Sequence, residues 1–242
     1  MLYALGEFGY LTYRVLGCLR YILRDNHRIL YQIERIGVDA IPIVLMVGVF
    51  AGTTIAWQAA YQFRGLAPFS LLGGEVAKTI IMEMAPVLTG LVMSGRVGAS
   101  MTAEIGAMKA SEQIDALKTM SIDPVRYLVM PRFVAMTSMM PILALFAMAV
   151  AVVGALAVST YFLNISYFVF MDSVRSMFQF KDLVGGLIKA TFFGIEISLI
   201  GCYKGLSAEG GTQGLGDATI SSFVIAAISL LISDFMLWVV LF

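Results

Sequence analysis

FVAMTSMMPILALFAMAVAVVGALAV, running from Phe133 to Val158, decides the fold class. No charged residue interrupts it, and it exceeds the about 20 apolar residues that a helix needs to cross a bilayer. Reading outward, further spans are expected at Val38–Ala60, Val76–Ser94, Leu183–Tyr203 and Ile220–Leu241. Trp57 and Tyr61 would mark the far interface of the first, and Trp238 lies near the end of the last. Composition agrees: 60% of the 242 residues are apolar and only 13% charged, with a mean hydropathy of +0.89. A soluble domain has about a quarter charged residues, and a chain this apolar would expose large greasy patches to water. The expected fold is an all-α integral membrane protein, an N-terminal interfacial amphipathic helix followed by about five transmembrane helices. Residues 1–36 form the interfacial region and 37–242 the membrane domain.

Leu5–Leu23 is apolar at Leu5, Phe8, Val15, Leu19 and Ile22, roughly one helical face, with Arg14, Arg20, Arg24 and Arg28 on or near it. This pattern predicts a helix lying in the membrane interface. The alternative, a true span, would bury Arg14 near mid-membrane. Glu7, Arg14 and the lack of a small-residue cleavage site argue against a signal peptide, so sorting should depend on the first span. Tyr161–Lys181 reads as an interfacial connection.

Loop charges set the expected orientation. With the N-terminus inside, inner segments hold Arg14, Arg20, Arg24, Arg28, Arg35, Arg96, Lys109, Lys118, Arg126, Arg132 and Lys204. Outer segments hold only Arg64, Lys78, Arg175 and Lys181. The C-terminus would then lie outside, and Lys109–Arg132 would face the cytoplasm.

Several function classes lose support. The net charge is zero, which gives a nucleic-acid partner no footprint. Cys18 and Cys202 are far apart and His27 is the single histidine, so no metal or disulfide pattern arises. Gly210-Gly-Thr-Gln-Gly-Leu-Gly216 lacks the lysine of a phosphate-binding loop. Ser207–Asp217 is read as a flexible connection. Gly205-Leu-Ser207 lacks the final glycine of a serine-protease motif, and His27 lies on the N-terminal segment. No catalytic residue is assigned.

Two small-residue rows follow the second span: Gly95, Ala99, Ala103 and Ala107, and Gly98, Thr102, Gly106 and Ala110. Such rows let another backbone approach, within the subunit or from a second copy. Beyond them a short amphipathic helix is expected near 108–121, with Ala110, Ile114 and Leu117 on one face and Asp115 and Lys118 on another. It would dock on lipid or in a protein groove. Asp123-Pro124 is a helix start signal. Asp39, Glu83, Lys189, Glu196 and Asp234 lie in or near spans. Each costs roughly 2.5–3.5 kcal/mol at a helix centre. Glu83 and Lys189 could pair across helices, to fix register or to line a polar path.

Several motifs carry a resemblance. They are Glu83-Met-Ala-Pro86, Gly95-Arg96-Val-Gly98-Ala, Thr102-Ala-Glu104-Ile-Gly, Ser111-Glu112-Gln113-Ile, Asp123-Pro124, Pro131-Arg132, Leu187-Ile-Lys189 and Gly211-Thr-Gln-Gly214-Leu-Gly216-Asp-Ala-Thr219. From Arg35 onward the chain resembles the MlaE (YrbE-type) permeases, membrane subunits of ABC transporters that serve MCE-domain proteins. The resemblance implies a homodimer in the bacterial inner membrane and a lipid cavity between the copies. It implies a cytoplasmic ABC ATPase that carries the ATP and Mg, and an MCE-domain partner outside; a small cytoplasmic regulatory subunit is a further candidate. No cofactor is expected on this chain. The segment matching Glu104–Met120 would contain a coupling helix, making Glu104, Lys109, Glu112, Gln113, Asp115 and Lys118 the ATPase-coupling candidates. Glu83, Lys189 and Asp234 are the intramembrane polar candidates. Leu71, Leu72, Met82, Leu88 and Leu91 are cavity candidates, because acyl chains need apolar walls. Two positions depart from the family pattern, which commonly has arginine where this chain has Met82 and Asp217. The expected function is a non-enzymatic permease moving phospholipid. A proton-coupled secondary transporter using Glu83, Asp234 and Lys189, or a membrane scaffold, are the alternatives.

Overall fold

In a bilayer every backbone polar group must be satisfied within the chain, so long apolar runs become helices. The computed structural model describes residues 2–22, 24–63 and 68–241, and among them every regular element is helical. The α-helices are α1 (Leu2–Cys18), α2 (Asn26–Ile36), α3 (Ile41–Phe63), α4 (Leu72–Thr79), α5 (Ala85–Met93) and α6 (Ala99–Ala110). They continue with α7 (Gln113–Thr119), α8 (Met130–Tyr161), α9 (Tyr167–Met177), α10 (Phe180–Ser207) and α11 (Gly211–Leu241). Five helical stretches are long and apolar enough to cross a membrane: Asn26–Phe63, Phe69–Ala110, Val125–Tyr161, Phe180–Ser207 and Gly211–Leu241. Each overruns the span read from hydropathy, because a helix continues past the bilayer's apolar layer. The first also runs across the expected boundary at residue 36. Arg64, counted among the outer charges, and Leu23, the end of the N-terminal segment, lie outside the described residues.

Three π-helical turns interrupt the α pattern: Ile80–Met84, Ser94–Gly98 and Val125–Val129. Each carries a charged residue, respectively Glu83, Arg96 and Arg126. Hydropathy does not reveal them, since an apolar run looks the same with either winding.

The chain forms two units. The first comprises Met1–Asp39, Gly90–Met140 and Thr191–Met236. Here α1 buries Leu11, Val15 and Cys18, and Phe8 meets the Tyr203 ring edge-on at 5.6 Å. Arg14 pairs with Asp123 at 2.7 Å, and Arg126 pairs with Asp25 at 2.8 Å. The Val15 face expected to lie in lipid is therefore covered by protein, and the outward face carries Tyr10, Tyr13 and Leu16. The Gly98–Thr102–Gly106 row packs within the same unit. Thr102 Oγ1 lies 3.0 Å from the Gly201 carbonyl oxygen and 2.8 Å from Ser222 Oγ. A Cβ on Gly201 would meet the Gly98 oxygen at 3.0 Å, so glycine is what lets α10 approach there.

The Gly-rich connection is mostly helix, which corrects the flexible loop expected over Ser207–Asp217. Only Ala208–Gly210 separate α10 from α11. Gly210 and Gly211 adopt φ of 89° and 66°, which reverses the chain in two residues. The remaining residues are then free to wind as the first turns of α11.

The second unit comprises Ala40–Thr89, Pro141–Ala190 and Leu237–Phe242. In it α9 forms within the interfacial connection expected over Tyr161–Lys181, and it packs on α4. The Gly74 N–H donates to Ser173 Oγ at 2.9 Å, and Phe170 is 1% exposed.

Candidate functional site

The coupling candidates divide into two environments of the first unit. α6 stops at Ala110, and Glu112 takes a left-handed φ of 58°. α7 follows, and Ser121 takes φ 58° at its far end. A left-handed residue other than glycine costs about 1–3 kcal/mol unless its surroundings hold it. Here the Ser111 N–H donates to the Ala107 carbonyl and the Ile122 N–H to the Leu117 carbonyl, at 3.1 and 2.9 Å. Ile114 is buried and Leu117 half-buried, while Glu112, Gln113, Asp115 and Lys118 are exposed. The elbow at Glu112 places Ala110 on a different helix, so the face expected to join Ala110, Ile114 and Leu117 is broken. The expected helix over 108–121 is α7 alone. Asp115 and Lys118 pair at 2.6 Å on its surface. Such an exposed pair contributes about 0–1 kcal/mol, so it shapes the surface more than it stabilises the helix. Asp123 then accepts the Val125 N–H at 3.0 Å, a cap that fits the start signal read from Asp123-Pro124.

Glu104 and Lys109 lie elsewhere, on α6. Lys109 reaches Glu209 at 3.7 Å. Glu104 pairs with Arg35 at 2.5 Å and Arg132 at 3.1 Å, and accepts the Ser100 hydroxyl. Arg132 is 7% exposed and also donates to the Leu128 carbonyl at 2.8 Å. One carboxylate thus ties α2, α6 and the start of the third span. Arg96 donates to the main-chain oxygen of Asp39 nearby, and these groups border a polar cavity of about 140 Å³. Reading the sequence missed this clamp. In the sequence Arg35 and Arg132 stand out only as inner-side charges and, for Arg132, as part of a motif, and no local spacing links either arginine to Glu104.

In the second unit Lys189 Nζ donates to Glu83 Oε2 at 2.6 Å, with the lysine fully buried. The pair anticipated from sequence is therefore formed. It supplies the cation that Met82 does not: the charge opposite Glu83 comes from α10 rather than from the adjoining residue. In the first unit, Asp234 is half-buried on α11, beside Ser233, which donates to Glu196 at 2.9 Å. Of the cavity candidates, Leu71 is exposed and Met82, Leu88 and Leu91 are half-buried. Leu72 is 0% exposed, which makes it a packing residue and removes it as cavity lining.

Comparison with known proteins agrees with this architecture. The family model for permease MlaE matches residues 29–240. A probable ABC transporter permease protein of Rickettsia typhi is 39% identical over 88% of this chain and 83% of its own length. A probable ABC transporter permease protein of Synechocystis is 36% identical over 88% of this chain and 82% of its own. The chloroplastic protein trigalactosyldiacylglycerol 1 of Arabidopsis thaliana is 34% identical over 86% of this chain and 59% of its own. A family match over nearly the whole chain, on an all-α body with five membrane-length helices, places this protein in the MlaE permease family, as the permease subunit of an ABC transporter.

Proposed function

We propose that the chain is the membrane half of an ATP-driven phospholipid transporter in a bacterial inner membrane. Two copies enclose the lipid path. The N-terminus and α7 face the cytoplasm, and the C-terminus faces the periplasm. A separate ABC ATPase binds the ATP and Mg and docks on α7, a small regulatory subunit can join it there, and an MCE-domain protein exchanges lipid on the opposite side. The observation that carries this reading is α7 itself. Seven residues are too few for a helix stable on its own. Yet α7 is held between two left-handed elbows, with Ile114 inward and Glu112, Gln113, Asp115 and Lys118 outward. A surface held in that way suits a partner that pushes on it.

The name of the Arabidopsis relative, a galactosylated diacylglycerol, supports a lipid cargo. Two features support a second copy: only 11% of the most apolar stretch of α11 is buried within the chain, and Gly95 and Ala107 of the other small-residue row are exposed.

The test is co-reconstitution with the cognate ATPase, comparing wild type with Glu112→Lys and Asp115→Lys. The variants are expected to lose ATPase binding, or to hydrolyse ATP without moving phospholipid, while their helical content is retained. Normal complex formation together with normal lipid transfer in both variants would refute the assignment.

A further inference from the structure

A second basic site adjoins the Glu104 clamp and shares Arg132 with it. A cleft of about 340 Å³ opens between the first turn of the Asn26–Phe63 helix, the last turn of α6 and the first turns of the Val125–Tyr161 helix. Its rim carries Arg28 and Tyr31, both exposed. Its floor carries Leu128 and Arg132, both at least nine-tenths buried. Among the described residues no carboxylate lines it.

The two arginines are held in different ways, and the cleft keeps positive charge from both. Arg28 sits over the Tyr127 ring, with its guanidinium carbon 3.8 Å from the ring centre. A contact of this kind holds the cation in place without consuming its N–H donors. Arg132 uses its two terminal nitrogens on the Leu128 carbonyl and Glu104, and its buried Nε–H has no acceptor among the described residues. A buried guanidinium N–H without an acceptor is costly. Glu104 is already shared with Arg35, so it neutralises only part of the charge around Arg132.

The position of the cleft narrows the ligand. It sits past the ends of three apolar spans, on the side where those helices leave the hydrocarbon layer and meet the headgroup region. Basic pockets between transmembrane helices at this depth take anionic headgroups. Met108 and Leu128 give the cleft an apolar wall beside its cations, which matches a headgroup continuing into acyl chains.

We infer that this cleft binds the phosphate of an anionic phospholipid headgroup, held between Arg28 at the rim and Arg132 at the floor. The bound lipid is a resident of the leaflet facing these helix ends and is separate from any transported cargo. The site requires only that the protein sit in a bilayer, so it stands independently of the transport reading.

The test uses the full chain in nanodiscs of phosphatidylcholine doped with phosphatidylglycerol, with retained lipid counted by native mass spectrometry. Wild type should retain phosphatidylglycerol in preference to phosphatidylcholine. Arg28→Gln removes one interfacial cation and should weaken that retention about fivefold, whereas Arg28→Lys should keep most of it. Arg28 is exposed, so these variants should melt like wild type. Millimolar inorganic phosphate separates the sources. Failure to displace the lipid supports a headgroup site, whereas binding of phosphate with no preference between the lipids identifies a free-anion site and overturns the lipid assignment. Equal retention of both lipids in wild type, or unchanged preference in Arg28→Gln, also overturns it. Lipid transfer measured on the same variants reports on transport separately.

Discussion

Lys189 Nζ and Glu83 Oε2 lie 2.6 Å apart, the lysine buried completely and the carboxylate side chain one-third exposed. The pair joins the π turn of the second span to α10, within one unit. Removing one partner leaves the other charged in an apolar setting, a loss of about 3–5 kcal/mol for a fully buried pair. Partial exposure of Glu83 reduces this. Lys189→Met should therefore lower thermal stability in nanodiscs markedly, and Glu83→Gln combined with Lys189→Met should recover most of the loss. A double variant no more stable than Lys189→Met would show that the pair does not act as a unit.

Thr102 tests the packing between α6 and α10. Its hydroxyl lies among the Gly98 and Gly201 carbonyl oxygens and Ser222 Oγ, at 2.8–3.0 Å. Thr102→Val keeps the shape and leaves Ser222 without this partner in a buried setting, which costs about 1–3 kcal/mol. Thermal unfolding should shift down accordingly. Thr102→Ser, which keeps the hydroxyl, should shift it less. Equal melting of wild type and Thr102→Val would remove the hydrogen-bond argument.

At the elbow before α7, Glu112 holds a left-handed φ of 58°. Glycine adopts that conformation freely, so Glu112→Gly should leave the fold intact and stabilise it by up to about 1 kcal/mol. Valine is branched at Cβ and disfavours the region strongly. Glu112→Val should loosen α7, read as faster amide exchange over 113–119 than in Glu112→Gly. Identical exchange in the two variants would mean that this backbone conformation does not hold α7.

Burial and the neighbouring Asp123 carboxylate push the Cys18 thiol up from its ordinary value. The thiolate is the reactive form, so a raised value means little of it at neutral pH. Maleimide labelling of Cys18 should be slow near pH 7 and should accelerate only above the pH at which an exposed thiol reacts. Asp123→Asn removes the nearby negative charge and releases Arg14, so labelling should quicken. A Cys18 rate matching that of an exposed peptide thiol would contradict the packing of α1 described above.

Much of the fold was legible because the bilayer demands it. Phe133–Val158 admits no structure but a spanning helix, and Asp123-Pro124 marks its start with a cap that is present. The Glu83–Lys189 pair was open to reading as a possibility, since two costly charges in the second and fourth spans have a remedy in each other. Three things were hidden, each for a physical reason. The π turns leave no hydropathy signature. The Arg35–Glu104–Arg132 clamp joins residues distant in sequence, and the short-range spacings of a helix say nothing of such partners. α9 and the early start of α11 were obscured by glycines, aromatics and charges that read locally as loop. At α9 the cause is tertiary: packing on α4 overrides weak local preference.

The π turn Ser94–Gly98 has a geometrical corollary. A π turn holds one residue more than the α winding needs, and one residue is worth about 100° of rotation. Were the turn rewound as α, each later residue would advance by one place, so that Met101 and Ile105 would stand where Thr102 and Gly106 now face their neighbours. The surplus residue is therefore what keys the short side chains to the neighbouring backbone, and straightening the turn would set bulkier ones against it.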